Sequence, residues 1–171
     1  MSLWHDSLLD GQRVTVRPLR PEDAALYPDF FADVTFDDRR LRFFGPLAHV
    51  TDDMIERFTH YDPKTAMAFI ALDAGDGKML GVVRLHDDPD GKGAEFAVLV
   101  RSSLKGHGLG YLLMKHIIDY AREKGLARVH GPVLTENTTM LKMAEELGFE
   151  IHDELMDRGI KRVTLTLPRP A

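Results

Sequence analysis

The sequence predicts one α/β domain with a partly antiparallel sheet. Strand-like and helix-like stretches mix along the chain without strict βαβ alternation. Two apolar runs, 66–72 and 79–85, flank the turn Gly75-Asp76-Gly77-Lys78 and read as a hairpin. The apolar run from Glu95 to Val100 then passes through a glycine-rich turn into the clearest amphipathic helix of the chain.

Val14-Thr15-Val16-Arg17 alternates apolar and polar residues as a first strand, ended by Pro18. Pro21-Glu22-Asp23 starts a helix with Ala24, Ala25, Leu26 and Phe30 as its apolar positions. Residues 37–44 form a short helix stopped by Gly45-Pro46, and Thr51-Asp52-Asp53 caps another that runs to Thr59. After the hairpin, 87–93 is a loop, and the run 95–100 reads as a strand buried on both faces. In the helix 109–124, Leu109, Leu112, Leu113, Ile117, Tyr120 and Ala121 share one stripe, and Gly125 is its C-cap. A strand over 128–134, a helix over 138–147 and a strand over 161–167 complete the domain, which spans 1–171 with 1–11 as an N-terminal tail.

Composition narrows the function classes. A chain of 171 residues with 44% hydrophobic and 29% charged residues can bury a sizeable core. It has no Cys, which excludes disulfides, thiolate metal sites and a cysteine nucleophile. The net charge of −5 argues against a nucleic-acid partner held by a broad basic surface, while Arg101, Lys105 and Lys115 cluster around the glycine turn as a local positive pocket. No apolar run nears the roughly 20 residues a membrane span needs. The first residues lack a signal peptide's regions, so the expected location is cytoplasmic. The eight histidines show no metal-ligand spacing, so no metal is expected. His107 is expected to point to solvent and His116 to lie on the surface or boundary of its helix.

The stretch Ala94 to Gly110 carries the chemistry. Its turn, Lys105-Gly106-His107-Gly108-Leu109-Gly110, sets free backbone N–H groups and the positive end of a helix dipole where an anion could sit. Taken alone, the turn is equally a tight strand-to-helix connection with no ligand. It matches neither a dinucleotide fingerprint nor a P-loop. On the residues alone, Glu95 reads as a solvated strand-edge carboxylate or the partner of a nearby arginine.

With its flanks, the turn resembles the acyl-CoA-binding motif of the GNAT family of N-acetyltransferases. The family pattern Gln/Arg-x-x-Gly-x-Gly/Ala falls on Lys105-x-x-Gly108-x-Gly110, and Asn137 followed by Leu147-Gly148-Phe149 is a second family feature. Val14 to Leu19 followed by Glu22-Asp23 is also usual there. Leu41-Arg42-Phe43-Phe44-Gly45-Pro46, Glu56-Arg57-Phe58-Thr59-His60 and Ala94 to Val100 look like the acetyltransferase domain of bacterial protein lysine acetyltransferases. The resemblance implies the GNAT fold, a single mixed, mostly antiparallel sheet with helices on both faces. It also implies acetyl-CoA as acyl donor and a primary amine as acceptor, in particular a lysine of another protein such as an acyl-CoA synthetase.

Residue roles follow from the same resemblance. Lys105, Gly106, His107, Gly108, Leu109, Gly110 and Tyr111 would receive the CoA pyrophosphate. Val98, Leu99 and Val100 would pair with the pantetheine arm, Asn137 would hold it from the neighbouring strand end, and Met140 would touch CoA. Glu95 would be the general base, and the N–H near Leu99 would face the thioester oxygen. Lys105 departs from the family's Gln or Arg, and Ala144 stands where many members carry a Tyr general acid. A small-amine acetyltransferase and a non-catalytic acyl-CoA sensor are the alternatives.

Overall fold

In the computed structural model, which describes residues 3–168, the strands are β1 (His5–Leu9), β2 (Gln12–Pro18), β3 (Ala66–Asp73), β4 (Met79–Asp87), β5 (Gly93–Val100), β6 (Arg128–Leu134), β7 (Glu150–Asp153) and β8 (Ile160–Thr166). They form one sheet in the order β1-β2-β3-β4-β5-β6-β8-β7. Every neighbouring pair is antiparallel except β5 and β6. The helices are α1 (Tyr27–Ala32), α2 (Phe36–Phe43), α3 (Asp52–Thr59), α4 (Leu109–Lys124) and α5 (Thr138–Glu146). This is the mixed, mostly antiparallel GNAT sheet with helices on both faces.

Strand alternation explains the two layers. Val83, Leu85, Phe69 and Ala94 face one side and pack with Leu113, Ile117 and Ala121 of α4 and with Ala144 of α5. Val82, Ile70 and Leu99 face the other, against Tyr27, Phe30 and Phe31 of α1 and Ile55 of α3. Phe30 and Ile117 are fully buried, each worth about 1.5–3 kcal/mol of apolar burial. The buried pair Arg17–Asp23 is bidentate, at 2.8 and 2.7 Å, and Asp23 also accepts from Arg20 N–H, fastening β2 to the turn that follows it.

Three expectations need correction. Residues 5–9, placed in a tail, form β1, because Asp10 and Gly11, with φ of 47° and 80°, make a two-residue hairpin turn onto β2. The helix expected from Pro21 is a 3-10 turn over Pro21–Leu26 followed by α1, because Pro28 lacks the N–H that would bond Ala24 and continue an α ladder. His116 is buried at 8% exposure, with its ring 4.4 Å from that of Phe69. β7 was not foreseen; all four of its residues are exposed, so it carries no apolar pattern.

Candidate active site

β5 and β6 pair only over Gly93–Arg128, Ala94–Val129 and Glu95–His130. Beyond Glu95, β5 stays on β4 up to Val100 while β6 follows β8 to Leu134, so the two strands diverge. Half of the β5 backbone polar groups past Glu95 therefore face an opening rather than a neighbouring strand. That opening belongs to a cleft of about 790 Å³. Divergence also corrects the expectation that β5 is buried on both faces: Ala97, Val98 and Val100 are only half-buried and line the cleft.

The glycine turn closes one end. Gly106 and Gly108 adopt left-handed φ of 83° and 87°, which a side chain would strain, and Gly108 is the N-cap of α4. Leu112 is the first α4 residue whose N–H finds an acceptor, Gly108 O at 3.0 Å. Earlier donors have none inside the helix, so they and the dipole offer an anion site at the cleft wall. Lys105, Gly106, Gly108, Leu109, Gly110 and Tyr111 all line it, as do Asn137 and Met140 from the other wall. Asn137 caps α5 by accepting from Met140 N–H at 3.2 Å.

His107 stands apart. Its Nδ1 lies 2.8 Å from Asp10 in the β1–β2 turn, and it is not among the residues lining the cleft. The expected positive pocket is also dispersed, because Arg101 bonds Met79 O and Asp29, each at 2.6 Å, and Lys115 sits over the Tyr111 ring. Ala144 is fully buried beneath the sheet.

Glu95 is exposed into the cleft, and among the described residues it has no hydrogen-bond or ion-pair partner. Its register neighbour on β6, His130, is committed elsewhere. Arg162 Nη1 donates to His130 Nδ1 at 2.8 Å, which fixes the proton on Nε2, facing Asp88 at 2.8 Å.

Sequence reasoning missed the cleft's far wall: Asp38, Leu41, Arg42 and Phe44 from α2 and its cap, and Arg84 and His86 from β4. Hairpin register could have found the last two, since Arg84 pairs with Ala97 and His86 with Glu95. Burial pushes the Arg42 guanidinium down to about 10, the Arg84 charge adds to this, and Tyr27 and Glu95 oppose it. Phe44 ends α2 with a left-handed φ of 63°, a strained position for a bulky residue.

The family model described as "Acetyltransferase (GNAT) domain" matches residues 13–150. The chain belongs to the GNAT acetyltransferase family. It is 31% identical over 148 residues to an acetyltransferase of Pseudomonas aeruginosa, covering 85% of this chain and 80% of that one. An L-methionine sulfoximine/L-methionine sulfone acetyltransferase of the same species is 29% identical over 115 residues, covering 64% and 67%. Among solved structures, the GNAT domain of S. lividans PAT superposes with a TM-score of 0.88 at 28% identity, covering 96% of this chain and 97% of that one.

The chain is thus an acyl-CoA-dependent acetyltransferase of the GNAT fold, and its residues fit that co-substrate. An anion-ready helix start, a strand edge open for amide pairing and a partner-free carboxylate share one cleft. No helix among the described residues is long and apolar enough to cross a membrane. Among the same residues, no group of three or more His, Asp or Glu stands together as a metal site.

Proposed function

We propose that this protein transfers an acetyl group from acetyl-CoA to the side-chain amine of a protein lysine by direct attack, with Glu95 as general base. The observation that carries this is the partner-free Glu95 carboxylate at the point where β5 and β6 part. When bound, acetyl-CoA supplies the thioester carbonyl as acyl donor. The N–H groups from Gly106 to Tyr111 hold its pyrophosphate, with Lys105 adding charge. Backbone groups of Val98, Leu99 and Val100 pair with the amides of its arm as an added strand would, and Asn137 steadies it from the facing wall. The N–H near Leu99 faces the carbonyl oxygen where negative charge develops.

A lysine amine, with a reference pKa near ~10.4, arrives protonated at neutral pH. Glu95 holds that ammonium and takes its proton as nitrogen attacks. No cysteine exists to carry the acyl group, so transfer is direct. Ala144 offers no acid, so the sulfur leaves as thiolate or takes its proton from water. The likeness to the S. lividans PAT domain supports a protein acceptor. The methionine sulfoximine/sulfone relative favours a second reading, a small amine.

Measuring free-CoA release with acetyl-CoA decides between them. One arm uses lysine-bearing proteins, including an acyl-CoA synthetase, with the acetylated lysine located by mass spectrometry. A small-amine panel forms the other arm. Acetyl-CoA binding without release on any acceptor would point instead to an acyl-CoA sensor.

A further inference from the structure

Two guanidinium groups stand at the Glu95 end of the cleft without a carboxylate to pair with. Arg42 lines the cleft and makes no hydrogen bond or ion pair among the described residues; its guanidinium lies over the Phe43 ring, 4.6 Å from the ring centre. Arg84 is anchored from behind, donating to Phe58 O at 3.1 Å, with its guanidinium 5.2 Å from the Phe58 ring. By contrast, Arg17, Arg40 and Arg101 each hold a carboxylate closely, those of Asp23, Glu136 and Asp29. Half-burying two like charges without a counter-ion costs folding free energy, so such a pair suits an anion that arrives with a ligand. Glu95 lines the same cleft and acts on Arg42 through space without pairing with it, so the cleft holds one anion and one cation that are both open to a ligand.

We infer that Arg42, backed by Arg84, seats a carboxylate of the acceptor close to the amine that Glu95 receives. The acceptor is therefore an amine with a neighbouring carboxylate. In a protein this is a lysine beside an acidic residue, and in a small molecule it is an amino acid. This inference rests on the acetyl-transfer reading and deepens it.

The test is a set of matched acceptors assayed for CoA release. One arm compares peptides with a lysine flanked by Glu or by Gln, and the other compares free amino acids with their carboxamides. The carboxylate member should show a kcat/KM roughly 10–100-fold higher in at least one arm. Arg42→Gln should bring that ratio toward one through KM, leaving the acetyl-CoA Kd by calorimetry unchanged, and Arg42→Lys should fall between. A ratio near one in both wild-type arms, or a ratio that survives Arg42→Gln, overturns the inference. If the protein binds acetyl-CoA but no acceptor releases CoA, the transfer reading fails on its own. The carboxylate seat is then read by calorimetry on CoA-saturated protein, where equal binding of acid and amide overturns it.

Discussion

Lys105 Nζ and Asp38 Oδ1, 67 residues apart in sequence, lie 2.7 Å from each other across the mouth of the cleft. The head of the glycine turn is thereby tied to α2. Burial pushes the Asp38 carboxyl up, but hydrogen bonds from Lys105 and Ser102 outweigh it and hold the group below its ordinary 3.8. Under the proposed function, a pyrophosphate at the start of α4 competes with this carboxylate for the lysine.

Asp38→Asn should therefore tighten acetyl-CoA binding by about two- to fivefold at low salt, the range of one partly exposed ion pair. Calorimetric titration at two ionic strengths checks it, and the difference should shrink at high salt. Weaker binding by the variant would mean that Asp38 presents Lys105 rather than withholding it.

Gly131 lets β6 pass close against β5 just beyond their last paired residues, Glu95 and His130. A Cβ there would stand 2.9 Å from Phe96 Cε1 and 3.2 Å from the Phe96 carbonyl oxygen. Gly131→Ala should destabilise the fold by about 1–3 kcal/mol, as overpacking does, and weaken acetyl-CoA binding by displacing β5. Urea unfolding and calorimetry measure the two effects, and wild-type values for both would remove Gly131 from the account.

His116 gives stability a pH dependence. Burial pushes its imidazole below the ordinary 6.5, and His5 adds to this; Asp119 and the backbone of Leu3 oppose it. Below 6.5 the unfolded chain binds the proton that the folded one refuses. This contribution is therefore complete above 6.5 and is lost as pH falls through the interval beneath it. His116→Phe should flatten the thermal midpoint between about pH 7 and pH 5. A variant as pH-sensitive as the wild type there would assign the dependence to other groups.

How far the sequence could be read depended on the range of the interactions. The glycine turn is marked by local chemistry, whereas Asn137 and Glu95 stand out only through the family resemblance, since on its own residues Glu95 reads as a solvated or paired carboxylate. Arg42, Arg84 and Asp38 carry no such mark, because they come to line the cleft only when α2 and β4 meet β5. The contact of His107 with Asp10 was not legible because Asp10 lies in a hairpin that reads as a tail, although Asp10-Gly11 is itself a turn signal. The buried face of α4 is wider than the stripe read from the sequence and takes in Met114, His116 and Ile118; His116 lies at helical spacing from Leu112 and Leu113, and its ring packs on Phe69 of β3.

The central claim, proton removal by Glu95 during acetyl transfer, is tested most directly by Glu95→Gln assayed against an acceptor that the wild type acetylates. The carboxylate has no structural partner among the described residues, so the variant should keep its thermal midpoint and its acetyl-CoA Kd. Its kcat should fall by about 100-fold or more at neutral pH. Turnover near that of the wild type, with binding intact, would contradict the account.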